Sequence, residues 1–192
     1  MVEKIIDQFW LDLAEKEKQQ LYQVSRLLKI MSRLREPNGC LWDREQTHQS
    51  LKPYLLEETY EVLEHLEQEN LSGLQEELGD LLLQIVFHAQ IADESDKFSI
   101  EEIAKGISDK LVRRHPHIFG DVKVKNADQV LDNWQKIKAE EKLEAGIITT
   151  ESSLLDQVNS IQPALMEAQR LQSKAAKVGF DWDNIDGAVA KV

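Results

Sequence analysis

The sequence predicts an all-α fold, and three observations carry that prediction. Glycine (8) and proline (4) are scarce in 192 residues. Apolar side chains recur at three- and four-residue steps over long stretches, and the few turn-forming clusters fall between those stretches.

The first helix is expected from about Glu17 to Arg35, where Leu21, Val24, Leu27, Leu28, Met31 and Leu34 form one stripe. Pro37-Asn38-Gly39 ends it, because proline cannot continue the hydrogen-bond ladder. A loop through Cys40-Leu41-Trp42-Asp43 is expected next, with a short helical piece near Thr47. Lys52-Pro53 suits a first turn, so a helix runs from there to about Glu67 with Leu55, Val62 and Leu66 inward. Glu69-Asn70-Leu71-Ser72-Gly73 reads as a turn. Ser72, with Gln75 at the reciprocal position, is the expected cap of a helix reaching about Ala92. A further helix from Ser99 to His115 directs Ile103, Ile107 and Leu111 inward and ends in Lys110, Arg113 and Arg114. Asn126-Ala127-Asp128 caps a last helix from Gln129 to about Lys142, which carries Trp134 and Lys138.

The domain reading follows from these elements. Residues 1–17 form an N-terminal extension, 18–145 one catalytic-size domain, 146–153 a linker, and 154–192 the start of a second copy. The last assignment rests on an echo: Gly39-Cys40-Leu41-Trp42-Asp43 is repeated in outline by Gly179-Phe180-Asp181-Trp182-Asp183, each after a helical stretch.

Composition excludes several classes. A net charge of −12 argues against a direct grip on nucleic acid or an anionic membrane, which needs clustered cations facing phosphate. A single cysteine, Cys40, rules out an intrachain disulfide and any all-cysteine metal cage, which fits a reducing compartment. No stretch reaches membrane-spanning length, and the first residues lack the uninterrupted apolar segment of a signal peptide. A cytoplasmic protein is the expectation.

Two pairs of acids bear the chemistry. Glu58 and Glu61 lie three apart on one predicted helix, and Glu77 and Asp80 lie three apart on the next. The second pair interrupts the apolar run Leu78-Gly79-Asp80-Leu81-Leu82-Leu83, where an unpaired carboxylate is costly to desolvate. Glu61 and Glu77 sit at similar distances from the intervening turn, roughly 7–9 Å along each helix at about 1.5 Å per residue. An antiparallel pair therefore brings the two motifs level, and four carboxylates converge on one volume. Hard carboxylate oxygens without histidine or thiol partners select Mg²⁺ or Mn²⁺. The Glu-x-x-His spacing of di-iron bundles occurs only once near the start, at Glu45 and His48.

For the remaining candidates two readings stay open. Lys110, Arg113 and Arg114 complement the dipole of a helix C-terminus, or they neutralise polyphosphate. Trp134 and Lys138, four apart, are core and surface residues, or they contact a nucleotide. His115-Pro116-His117 reads as a structural turn.

These residues resemble a known family. Glu57-Glu58-Thr59-Tyr60-Glu61 followed by Glu77-Leu78-Gly79-Asp80 is similar to the Glu-Glu-x-x-Glu and Glu-x-x-Asp signature of the MazG-type nucleoside triphosphate pyrophosphohydrolases. The likeness extends through Trp42 to His48, Pro53 to Glu58, Gly79 to Gln84, Arg113 to Gly120, and Asn133-Trp134. It covers residues 18 to about 145, and the tail resembles the start of a second MazG domain. Leu41 departs from the proline often found before the tryptophan, which bears on loop rigidity.

The resemblance implies a four-helix-bundle-like fold, usually dimeric, that converts nucleoside triphosphates to monophosphates and pyrophosphate. By motif position Glu58, Glu61, Glu77 and Asp80 match the Mg²⁺ ligands, Lys110 and Arg114 the phosphate contacts, and Trp134 and Lys138 further substrate contacts. Arg113 joins them as a substrate-binding candidate. Glu57, just outside the ligand set, is the candidate general base. Two other readings compete: a pyrophosphohydrolase for a modified nucleotide such as phosphoribosyl-ATP, and a non-catalytic dimerisation or regulatory bundle.

Overall fold

The computed structural model describes residues 14–146, 153, 155, 163–182 and 184–190. Those residues form two compact units, dividing between Lys125 and Asn126. The described residues hold helices and no strands, as the spacing predicts.

In the first unit α1 spans Glu15–Arg35, α2 Leu41–Glu45, α3 Lys52–Glu67, α4 Leu71–Asp93, α5 Ile100–Arg114 and α6 Pro116–Phe119. In the second, α7 spans Ala127–Glu144, α8 Ala164–Ala176 and α9 Ile185–Val189. Glu36, the residue before Pro37, is extended (ψ 159°) and closes α1, because proline disfavours a helical predecessor. Ser99 and Asn126 cap α5 and α7 through their side chains, as expected from sequence. His115-Pro116-His117 opens the one-turn α6.

Three expectations are corrected. The segment expected as a loop at Leu41–Asp43 is the short helix α2, while Thr47 and Ser50 form a turn closed by reciprocal bonds between each hydroxyl and the other's amide. The cap of α4 is Asn70 rather than Ser72, so the helix starts two residues earlier, at Leu71. Leu66, Ile107 and Leu111, expected inward, are 52%, 47% and 49% exposed. The 147–152 portion of the expected linker and residues 1–13 of the extension lie outside the described residues.

The first unit's core forms where α1 meets α4. Met31, Leu51, Val86 and Phe87 are buried together, with Leu27, Leu28, Leu83 and Ile91 packed around them. Each such side chain contributes roughly 1.5–3 kcal/mol on burial. Arg35, only 7% exposed in its side chain, locks this junction. Its guanidinium makes two 2.8 Å bonds to the Glu94 carboxylate and donates to the carbonyls of Asp43 and Gln46. It also lies 5.5 Å over the Phe87 ring. This tertiary clamp explains why α2 is helical: two carbonyls in and just after its last turn find their donor on another element. His48 and His88 add a second tether, with their Nδ1 atoms 2.8 Å apart and rings stacked at 5.1 Å. Burial and the neighbouring His48 hold the His88 pKa below its ordinary value.

Candidate metal centre

Helices α3 and α4 form a hairpin, with the most extensive contact of any pair of elements in the first unit. Its turn is a Schellman motif: the Asn70 amide reaches back to the His65 carbonyl at 3.0 Å and the Glu69 amide to Leu66 at 3.2 Å. Glu69 occupies the left-handed position with φ 52°, where glycine is usual. Asn70 then caps α4 by accepting the Gly73 amide at 3.3 Å. The turn is therefore shorter than the sequence suggests, and the hairpin geometry levels the acidic motifs.

Glu58 of α3 and Glu77 and Asp80 of α4 each offer one carboxylate oxygen, and these three oxygens lie within 4.8 Å of one another. All three residues are half-buried. Burial first, and then the charges of Asp80, Glu61 and Glu77, push the Glu58 carboxyl above its ordinary range. Glu77 is likewise raised by burial and by Glu61, against an opposing pull from His65. Such a group is held apart by its own repulsion until a cation or a proton neutralises it. Three hard oxygens at this spacing, with no nitrogen or sulfur donor in the group, suit Mg²⁺ or Mn²⁺.

The structure places the other sequence candidates as follows. Glu61 is exposed and outside the three-oxygen group, yet close enough to hydrogen-bond Glu58 and to raise both Glu58 and Glu77. Glu57 is exposed one residue away on α3. Lys110, Arg113 and Arg114 belong to the C-terminal turns of α5; Lys110 and Arg113 are exposed and Arg114 is half-buried. In the second unit, Lys138 sets its ammonium 4.8 Å from the centre of the Trp134 ring, a cation–π pair along α7. Trp134 and Lys138 thus share a face, as their four-residue spacing requires.

One neighbour of the acids was not singled out from sequence. His65 Nε2 lies 3.7 Å from Glu77 Oε1. Its signal was available, since it follows Glu61 by one helical turn and shares its face.

Residues 46–119 match the MazG nucleotide pyrophosphohydrolase domain, a span that holds all four predicted ligands and the cationic end of α5. The chain is 49% identical to the nucleoside triphosphate pyrophosphohydrolase of Escherichia coli K12, over 88% of this chain and 64% of that protein. It is 48% identical to the nucleoside triphosphate pyrophosphohydrolase/pyrophosphatase MazG of Thermotoga maritima, over 86% of this chain and 62% of that one. The chain thus spans somewhat less than two thirds of these curated relatives. Among solved structures, a mazG-related protein from Thermotoga maritima superposes with a TM-score of 0.51 at 26% identity, covering 60% of this chain and 98% of that one. With its all-helical fold, its three-carboxylate group on one hairpin and its 49% identity to such a protein along most of its length, this chain carries a MazG nucleotide pyrophosphohydrolase domain.

Proposed function

We propose that this chain hydrolyses ribo- and deoxyribonucleoside triphosphates to the monophosphate and pyrophosphate, depends on Mg²⁺ with Mn²⁺ as a substitute, and serves nucleotide-pool housekeeping in the cytoplasm. The observation that carries the proposal is the convergence of Glu58, Glu77 and Asp80 on one small volume. The names of the similar E. coli and T. maritima proteins supply the reaction.

In this reading Glu58, Glu77 and Asp80 would hold the cation, with the neighbouring Glu61 as the fourth ligand candidate. A divalent ion held there would supply Lewis acidity toward phosphoryl oxygens and water. Glu57, adjacent to the ligands but not among them, accepts the proton of the attacking water. Lys110 and Arg114, with Arg113, neutralise charge on the leaving pyrophosphate. Trp134 and Lys138 take further substrate contacts, an assignment resting on motif position.

A homodimer belongs to the same proposal. Leu56, Tyr60 and Leu63 on α3 are 55%, 52% and 48% exposed, and Leu78, Leu82 and Ile85 on α4 are 48%, 40% and 41% exposed. These residues recur at helical spacing on both arms of the hairpin that carries the acids, a pattern that calls for a covering surface. A second copy of the hairpin would supply it. Residues 154–192 are proposed as the start of a second MazG-like domain, with 18–145 as the first. Among the described residues, no helix is long and apolar enough to cross a membrane.

The test is pyrophosphate release from a panel of nucleoside triphosphates, with Mg²⁺ and with chelator. Metal-dependent pyrophosphate with equimolar monophosphate supports the proposal. Release only from a modified substrate such as phosphoribosyl-ATP, or from none, would shift it to the competing hydrolase or to a non-catalytic bundle.

A further inference from the structure

The tip of the α3–α4 hairpin contains a histidine arrangement that the metal ligands alone do not explain. His65 is 24% exposed in its side chain and faces Glu77, itself 17% exposed. On its other side, His65 Nδ1 lies 3.1 Å from Asn70 Nδ2. The orientation of the Asn70 amide is set by its capping role, because its Oδ1 accepts the Gly73 amide at 3.3 Å. The nitrogen of that amide can only donate, so His65 Nδ1 must accept. The imidazole proton therefore sits on Nε2, the atom 3.7 Å from Glu77 Oε1.

Gly73 leaves space for this arrangement. A Cβ at residue 73 would lie 2.3 Å from His65 Cε1, 2.5 Å from Nδ1 and 2.6 Å from Nε2. Only glycine lets the ring lie across the first turn of α4, one turn before Glu77.

We propose that His65 is a positioning residue for the metal centre: fixed in one tautomer by Asn70 and seated over Gly73, it presents Nε2–H to Glu77 and aims that carboxylate at the cation. The inference rests on the metal site proposed above and deepens it. At 3.7 Å the pair is an electrostatic contact that a small rotation of the Glu77 side chain converts into a hydrogen bond. A carboxylate held through one oxygen keeps the other for the cation and loses less freedom when the ion binds. The neutral imidazole suffices, so the role needs no protonation change.

The test is Mn²⁺ binding followed by electron paramagnetic resonance in the full chain, alongside thermal unfolding and the Mg²⁺ dependence of pyrophosphate release. His65→Phe keeps the ring's bulk and removes the donor, and is expected to weaken Mn²⁺ about 10- to 100-fold, the usual effect of losing an outer partner of a ligand. His65→Gln restores an N–H near the Nε2 position and is expected to recover most of the affinity. Gly73→Ala displaces the ring while improving helix propensity, so it is expected to bind Mn²⁺ as weakly as His65→Phe without losing thermal stability. In both weakened variants the half-saturating Mg²⁺ concentration should rise, with kcat recovering at high Mg²⁺. Wild-type Mn²⁺ affinity in His65→Phe or in Gly73→Ala would overturn the inference while leaving the metal site standing, as would equal weakness of His65→Phe and His65→Gln. Absence of Mn²⁺ binding by the wild type would overturn the site and the inference together.

Discussion

Replacing Asp80 by Asn is expected to change stability in opposite directions with and without metal. The substitution is close to isosteric and removes one charge from a group whose oxygens lie within 4.8 Å of one another. At that separation two unit charges repel by about 1 kcal/mol in a water-like dielectric, and by more as the medium becomes less polar. Asp80 faces both Glu58 and Glu77, and its charge is the leading electrostatic cause of the raised Glu58 carboxyl. With chelator at pH 8, Asp80→Asn should therefore be more stable than wild type by about 1–2 kcal/mol, at the low end of the Coulomb range because the site is half open to solvent. For a chain of this length that is on the order of 2–8 °C in Tm. With metal the order reverses. At a Mg²⁺ concentration 100 times Kd, the wild type gains about 2.7 kcal/mol from binding, and Asp80→Asn loses most of that gain. Thermal unfolding monitored by circular dichroism, in chelator and across a Mg²⁺ series, gives both quantities. A variant less stable than wild type in chelator, with an unchanged Mg²⁺ response, would refute the reasoning, because Asp80 would then be a structural acid.

Further outcomes are expected at the acidic group, at Arg35 and at Glu69. Because Glu58 and Glu77 are raised, the folded apo protein binds protons more readily than the unfolded chain at these two positions; their contribution to apo stability is full below the ordinary carboxylate value of 4.5 and is lost as pH rises through their raised pKa values. The same protons compete with the cation, so Mg²⁺ affinity measured by calorimetry should begin to fall above the ordinary carboxylate range as pH is lowered. Arg35→Met should destabilise by about 1–3 kcal/mol in urea titration, chiefly because the part-buried carbonyls of Asp43 and Gln46 lose their donor, while the exposed Glu94 carboxylate keeps Gln90 and water. Arg35 holds Glu94 below its ordinary pKa, so that pair's stabilisation is present above 4.5 and lost as pH falls through the depressed value, and the difference between variant and wild type should narrow in acid. Glu69→Gly should stabilise by roughly 0.5–1 kcal/mol, because it removes the cost of a left-handed non-glycine residue at φ 52° while adding chain entropy to the unfolded state.

Much of the candidate site was legible in the sequence because it depends on short-range geometry. Three-residue spacing puts Glu58 beside Glu61 and Glu77 near Asp80 on any α-helix, and a short turn between them makes the two levels meet. That Glu61 stands outside the closest group was not legible, since it depends on side-chain rotamers within a crowd of like charges. The misplaced cap of α4 has a similar cause. Ser72 with Gln75 fits the local capping pattern, but Asn70 wins because the Schellman turn brings its amide back to His65 and leaves its side chain over the Gly73 amide.

The sequence by itself determined the helical class, the approximate bounds of α3, and the pairing of acids across a hairpin, because helix periodicity and proline or glycine punctuation act within a few residues of chain. The tertiary structure decided the helical state of α2, the clamp of Arg35 on Glu94, and the seating of His65 between Asn70 and Glu77 over Gly73. Each of these joins side chains whose approach is set by how whole helices pack, and no local spacing encodes that distance.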